Sequence, residues 1–216
     1  AFNSLPAAFT PDLKGLHYVT CPNQIGLDPK DKAPAIENGG TMFSYSPGAV
    51  YRCCQHNVSH GWPYFAEEMW LATSDNGLCA SLFAPSQVTA KVGEAGVEVT
   101  VAEETDYPFG ETITFKVSTK QPVKFPLYLR KPDWCDTARV TWPGLVGSVR
   151  HVVGYFVVER EWKNGDAVTL GLPMAVKVRR WKDNGNSASV DRGPITYSLS
   201  IGEKWEKCGG SEQRSE

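Results

Sequence analysis

The stretch Val97-Glu98-Val99-Thr100-Val101-Ala102 sets the architecture of this 216-residue chain. Its three valines alternate with Glu98, Thr100 and Ala102. Because successive side chains of a strand point to opposite faces, the valines share one face and the other three residues share the opposite one. The preceding Gly93-Glu94-Ala95-Gly96 is a glycine-containing loop of the kind that joins two antiparallel strands. The segment therefore predicts a hairpin with one face in a core and the other in water.

Short alternating or apolar runs of this kind recur through the second part of the chain, with turn residues between them. A recurrence of roughly 8 to 12 residues is typical of an antiparallel sandwich. The expected strands lie near residues 78–84, 86–92, 97–103, 111–118, 123–130, 137–142, 154–160, 166–172, 174–181 and 194–200. The predicted fold class is therefore mainly β, an antiparallel β-sandwich.

The first 74 residues contain successive turn residues and one amphipathic stretch. Apolar residues at helical spacing predict a helix over residues 62–72, which Asp75-Asn76-Gly77 ends. Pro63 is either the first residue of this helix or a kink in a helix that begins further back, at Gln55. The second alternative would bring the cysteines just before Gln55 to the positive end of the helix dipole.

The change in pattern divides the chain into three parts. We expect a helical portion in residues 1–74, a β-sandwich domain in residues 75–206 and a polar tail in residues 207–216. The chain opens at Ala1 without a methionine, in a stretch that resembles the last turns of a helix. We therefore expect an internal piece of a longer protein.

Composition narrows the range of partners. Lys and Arg total 22 against 24 for Asp and Glu, a net charge of −2, so charge gives no indication of a nucleic-acid or anionic-membrane partner. No apolar run approaches the roughly 20 residues of a membrane-spanning helix. Seven Trp and eight Tyr suit sugar binding, because sugar rings pack on flat aromatic faces, although such residues commonly belong to a core.

Among six cysteines, the adjacent pair Cys53-Cys54 stands out, with His56 two residues further on. The thiolate is the reactive form of cysteine, and a helix N-terminus, a nearby cation or a metal ion lowers the pKa of a thiol. The cluster is either a metal or nucleophile site, with His56 contacting substrate, or a structural pair. Zinc would need four ligands, and the cluster supplies at most three. For Cys79 and Cys135 we expect buried, inert thiols.

Glu67 and Glu68 are the acidic pair nearest to these cysteines. Adjacent residues of a helix face about 100° apart, so the two carboxylates cannot act together across a sugar ring. We interpret them as a solvated helix face. Asp106 and Glu111, which flank the turn at residues 107–110, have a structural interpretation as well.

Three motifs in this order resemble glycoside hydrolase family 127, the β-L-arabinofuranosidase-like proteins. They are Cys53-Cys54 before a helix, Leu129-Arg130-Lys131-Pro132-Asp133-Trp134, and Asp191-Arg192-Gly193-Pro194. The resemblance implies an (α/α)₆ barrel followed by β-sandwich domains. Residues 1–74 would then be the C-terminal portion of the barrel.

The resemblance also implies a chemistry, retaining hydrolysis with a cysteine nucleophile next to zinc. Carried over, Cys53 would be the nucleophile, and Cys53 and Cys54 would bind the metal. A glutamate acid/base and further zinc ligands would lie upstream of Ala1. An oligosaccharide or glycoconjugate would be the substrate, and the 216 residues alone would be inactive. The alternative is a non-catalytic carbohydrate-binding or structural β-sandwich module.

Overall fold

The computed structural model describes residues 1–16, 53–144, 148–183, 185–200, 202, 204, 210–211 and 214–215, with the backbone alone for residues 53–56, 210–211 and 214–215. Within these ranges the chain forms two helices, α1 (Ser4–Ala7) and α2 (Cys53–Glu67). The strands of the same ranges are β1 (Trp70–Ala72), β2 (Leu78–Ala80), β3 (Ser86–Val92), β4 (Val97–Thr105), β5 (Thr112–Thr119), β6 (Val123–Arg130), β7 (Arg139–Thr141), β8 (Ser148–Val152), β9 (Tyr155–Trp162), β10 (Ala167–Gly171), β11 (Val176–Trp181), β12 (Ser187–Arg192), β13 (Ile195–Tyr197), β14 (Gly210–Ser211) and β15 (Arg214–Ser215).

The chain divides into two compact units. One comprises Phe65–Val178 with Asp191–Pro194, and the other comprises Ala1–Tyr64, Arg179–Val190 and Ile195–Glu216. The first unit contains two five-stranded sheets, with strand orders β1-β2-β6-β9-β8 and β3-β4-β5-β10-β7. Neighbouring strands are antiparallel except β2 and β6, which run parallel. The predicted fold class, mainly β and antiparallel, is therefore confirmed.

The two sheets enclose a core of aromatic and branched aliphatic side chains. Trp70 on β1 meets the edge of Phe115 on β5 at a ring-centroid distance of 5.9 Å, which joins one sheet to the other. The indole nitrogen of Trp162 donates to the carbonyl oxygen of Phe125 at 3.0 Å, so its polar atom is satisfied inside the core. The largest fully buried side chains are Trp162, Phe83, Phe115, Phe125, Ile113, Leu127, Leu129, Leu170, Leu172, Val92, Val99 and Val101.

The predicted hairpin between β3 and β4 is present. Its seven residue pairs run from Ser86 opposite Glu103 to Val92 opposite Val97. Gly93 and Gly96 have φ angles of 69° and 60°, a left-handed conformation that glycine adopts without strain. A side chain at Gly93 would also collide with the backbone of β6, since its Cβ would lie 2.7 Å from the carbonyl oxygen of Lys124.

The predicted helix over residues 62–72 is wrong in both bounds. Helix α2 ends at Glu67, and residues 70–72 form strand β1 instead. Trp70 pairs with Ala80 on β2, and its indole nitrogen donates to the Ser86 hydroxyl at 3.0 Å. These contacts outweigh the local helical pattern. Pro63 lies inside the helix, as in the second alternative, and the helix begins at Cys53, two residues before Gln55.

Most predicted strands are confirmed, and β3 and β6 have the predicted bounds. The prediction missed β1, β8 and β12 in the region that it covered. β8 exposes four of its five residues, and β12 has the polar sequence SASVDR, so neither shows the apolar alternation of a half-buried strand.

A third sheet has the strand order β11-β12-β13, and β14 pairs with β15 in a two-stranded ribbon. Every residue of β11 is exposed. The described part of residues 1–74 shows α1, α2 and β1 and no further helix or strand, so the barrel stays a prediction. The division of the chain at residues 74 and 206 likewise stays a prediction.

Candidate functional site

The cysteine pair lies at the start of α2. Cys53 is the first residue of this 15-residue helix and Cys54 the second. Backbone N–H groups at a helix N-terminus are unpaired and carry the positive end of the helix dipole, which favours an anion such as a thiolate. The side chains of Cys53, Cys54 and His56 lie outside the described residues, as do Cys21 and His17. Their predicted roles therefore stay predictions.

The second half of α2 packs against α1 within one unit. Phe2 meets Trp62 edge to face, at a ring-centroid distance of 6.1 Å. Gly61 lies against Leu5, and a Cβ there would come within 2.5 Å of the Leu5 Cδ2 atom. A glycine at this position lets the two helices approach, and the contact fixes the helix that begins with the cysteines.

The donors at the start of α2 suit zinc in type. Two thiols and an imidazole are ligands that zinc prefers, although a tetrahedral site needs a fourth. Within the described side chains there is no group of three or more His, Cys, Asp or Glu residues that could hold a metal ion. A zinc site that includes Cys53 and Cys54 must therefore recruit at least one ligand beyond this cluster.

The two cysteines of the sandwich have the predicted character. Cys79 and Cys135 are buried and free of disulfide bonds. Burial raises the pKa of the Cys79 thiol to about 11, against the effects of a hydrogen bond from Tyr155 and the charge of Arg130. At neutral pH this thiol is protonated, and the protonated thiol is the unreactive form.

The acidic residues near the cysteines are solvated, as predicted. Glu67 is the last residue of α2 and Glu68 follows the helix, and both side chains are exposed. The interpretation of Glu111 as structural is confirmed as well. It accepts a hydrogen bond at 3.0 Å from Arg192, which also donates to the carbonyl oxygen of Phe109 at 3.1 Å. The arginine of the Asp-Arg-Gly-Pro motif thus holds the loop between β4 and β5.

Gly193 in the same motif has a positive φ of 57° and lies against the Met174 side chain. A Cβ there would lie 2.6 Å from the sulfur of Met174, so a substitution would strain the backbone and also displace the Met174 side chain.

Glu103 on β4 is a buried carboxyl group that was not predicted from the sequence. Its side chain is 2% exposed. Its Oε2 atom accepts a hydrogen bond from the Ser86 hydroxyl at 3.2 Å, and Ser86 in turn accepts one from Trp70. Oε1 is buried without a partner. Burial raises the pKa of Glu103 to about 8, although the Ser86 hydroxyl and the nearby Ala84 backbone act to lower it.

The position of Glu103 in the sequence could have revealed it. The residue continues the alternation of Val97, Val99 and Val101, so it falls on the face of β4 that turns to the core. A carboxyl group at that position must be either paired or neutral.

These features define a β-sandwich domain that follows, along the chain, a helix whose first two residues are cysteines. Residues 77–174 match the family model described as the middle domain of GH127 β-L-arabinofuranosidase. The resemblance to GH127 is therefore confirmed for this segment of the chain. No curated protein matches the chain in sequence.

Solved structures agree with this assignment. A GH127 β-L-arabinofuranosidase from Geobacillus stearothermophilus T6 is 25% identical, with a TM-score of 0.68 over 88% of this chain and 30% of its own. A second structure, described as a glycoside hydrolase, is also 25% identical, with a TM-score of 0.69 over 90% of this chain and 32% of its own. A GH127 β-arabinofuranosidase at 22% identity shares the fold, with a TM-score of 0.58 over 67% of this chain and 25% of its own.

The chain thus spans about a third or less of these structures. In the described part of the chain, no helix has the length and apolar character needed to cross a membrane.

Proposed function

We propose that this chain is part of a retaining glycoside hydrolase that acts on β-L-arabinofuranosides or related plant-type glycans. The observation that carries the proposal is the GH127 middle domain at residues 77–174, together with the likeness to a β-L-arabinofuranosidase over 88% of the chain. A sandwich domain of this family is expected to pack beside a catalytic domain rather than to act alone.

Cys53 is the proposed nucleophile. Its support is the backbone of α2, which begins at Cys53 and so offers the positive end of a helix dipole to a thiolate there. Cys53 and Cys54 would hold zinc, whose charge would keep a coordinated thiol deprotonated at neutral pH. His56, in the same first turn, is proposed to contact substrate hydroxyl groups.

The proposed reaction has two displacements. The Cys53 sulfur attacks the anomeric carbon and forms a carbon–sulfur bond, while the glycosidic bond breaks and the leaving oxygen takes a proton from a glutamic acid outside these 216 residues. Water, deprotonated by the same glutamate, then displaces the sulfur. Two inversions give net retention. A retaining enzyme needs its two reacting groups about 5 Å apart, so these residues alone are expected to be inactive.

The test is made in the complete protein. Cys53→Ala is expected to abolish hydrolysis of a β-L-arabinofuranoside while the protein stays folded, and Cys79→Ala, in the sandwich, is the matched cysteine control. Zinc content should fall in Cys53→Ala and in Cys54→Ala but not in the control. Full activity of Cys53→Ala would contradict the proposed nucleophile, and unchanged zinc content in both variants would contradict the proposed metal site.

The alternative of a non-catalytic carbohydrate-binding module draws on exposed aromatic side chains, among them Phe109, Trp62 and Tyr64. It predicts saturable binding of arabinan-type oligosaccharides by the complete protein without any cleavage. Hydrolysis that depends on Cys53 would exclude this alternative.

A further inference from the structure

Arg130 is the last residue of β6 and belongs to the Leu-Arg-Lys-Pro-Asp-Trp motif, whose residues have no separate role in the proposed reaction. Its guanidinium carbon lies 5.7 Å from the centroid of the Phe83 ring. Its Nε atom is buried without a hydrogen-bond partner, while the side chain as a whole is only half-buried. A guanidinium offers five donors in a planar fork, and here that fork has a buried donor with no acceptor.

Other half-buried arginines of the described chain are satisfied differently. Arg160 donates to a carboxylate oxygen of Asp166 at 3.0 Å, and Arg192 donates to Glu111 at the same distance. Arg130 forms no ion pair with any residue that the structure describes. Arg130 therefore lacks the carboxylate partner that Arg160 and Arg192, at comparable exposure, have.

The two titratable side chains whose pKa values respond to the charge of Arg130 cannot supply the missing negative charge. The pKa of Cys79 is raised to about 11 and that of Tyr107 to about 12, in both cases chiefly by burial. Both groups feel the charge of Arg130 and are still neutral at pH 7. The described neighbours of the guanidinium thus include a neutral thiol, a neutral phenol and an aromatic ring, and no described carboxylate forms an ion pair with it.

We propose that Arg130 is a binding site for a carboxylate group from outside the described residues. A carboxylate has the planar, two-oxygen geometry that matches the guanidinium fork. A single cation among neutral groups suits a single negative charge, since a phosphate dianion would leave one charge uncompensated in a partly buried place. Two sources offer such a carboxylate, an acidic sugar such as a uronate and an Asp or Glu side chain of a polypeptide.

The test uses the 216-residue chain labelled with nitrogen-15 and follows the Nε–H signals of its arginines by NMR. The signal of Arg130 is expected to shift saturably with sodium acetate and not with acetamide or with sodium chloride at equal ionic strength. The signals of Arg160 and Arg192, which already hold carboxylates, should stay in place. A shift of the Arg130 signal that is linear, or equal in chloride, would overturn the proposal.

Galacturonate and galactose, run in parallel, separate the two sources. If galacturonate saturates the shift at a concentration at least tenfold below that of acetate, the ligand is an acidic sugar. If the two saturate it at equal concentrations, the site recognises the carboxylate alone, as on a protein side chain. Galactose should have no effect.

Substitution gives a second test. Arg130→Lys keeps the charge and loses the planar fork, so the saturable acetate response of the backbone amides around residue 130 should weaken about tenfold or more. Arg139→Lys, at an exposed arginine elsewhere on the sandwich, is the matched control and should leave that response unchanged. An undiminished response in a folded Arg130→Lys variant would overturn the assignment to Arg130. The titration of the unmodified chain decides the question if that variant does not fold.

Discussion

Strands β4 and β11 have the same kind of sequence and opposite environments. β4 alternates valine with polar residues, and its Val99 and Val101 are 1% and 0% exposed. β11 alternates valine with basic residues, and its Val176 and Val178 are 64% and 62% exposed. Alternation therefore predicts that one face of a strand is able to pack in a core. The presence of a second sheet decides whether that face is buried.

The two strands also differ in the charged residue that follows the valines on the same face. On β4 the face that carries the valines also carries Glu103, which is buried. On β11 the corresponding face carries Arg180, which is exposed. A charged side chain on β11 costs little free energy, because water solvates it there. On β4 a charge would be desolvated, so the carboxyl group is held in its neutral form.

The largest effect that this comparison predicts is a dependence of stability on pH at Glu103. The pKa of Glu103 is about 8 in the folded chain, and 4.5 is the ordinary value for a glutamate of the unfolded chain. Between these values the folded state keeps a proton that the unfolded state releases. Stability from this group is therefore complete below pH 4.5, falls as pH rises, and is lost above about pH 8. The steepest slope is about 1.4 kcal/mol per pH unit.

Urea unfolding from pH 4 to pH 9 measures this slope. Glu103→Gln keeps the shape of a neutral carboxyl group without its titration, so the wild-type chain should lose stability relative to this variant as pH rises. Glu98→Gln, at an exposed position of the same strand, is the control and should follow the wild-type profile. If the free energies of unfolding of the wild type and Glu103→Gln change with pH in parallel, the buried face of β4 tolerates a charge.

A matched pair of valine truncations gives the next largest effect. Val101→Ala should lower the free energy of unfolding by about 2 kcal/mol, because it removes two buried methyl groups and leaves a cavity between the sheets. Val178→Ala should change it by less than about 0.5 kcal/mol, since that side chain already contacts water. Urea denaturation of both variants makes the comparison. Equal losses would mean that the exposed row of β11 is covered in solution.

The sequence predicted the sandwich well where a strand has one buried and one solvated face. β3, β4 and β6 carry such alternation, and their positions were predicted within two residues. β8 and β12 lack it, because four of the five residues of β8 are exposed and the sequence of β12 is mostly polar, so hydrophobic periodicity gives no sign of them. β1 was predicted as helix because its contacts with β2, Ser86 and Phe115 are distant in sequence.

The candidate site could be predicted only in part. The cysteine pair is visible in the sequence, and the helix start at Cys53 supports its interpretation. The tie from Arg192 to Glu111 joins residues 81 positions apart, and the unpaired state of Arg130 depends on which neighbours are neutral. Such relations follow from the packing of the sandwich, so no local pattern contains them.

The smallest predicted effect concerns the solvated face of β4, where Glu104 pairs with Lys116 on β5. Their charged atoms lie 2.6 Å apart, but the side chains are 56% and 52% exposed, so water and salt screen the attraction. Glu104→Gln should therefore lower stability by no more than about 0.5 kcal/mol, and the loss should shrink further in 1 M salt. A loss above about 1 kcal/mol in urea denaturation would mean that the solvated row of β4 stabilises the sandwich as much as a buried methyl group does. Exposure would then be the wrong basis for ranking the two faces of this strand, and the contrast with β11 would need another cause.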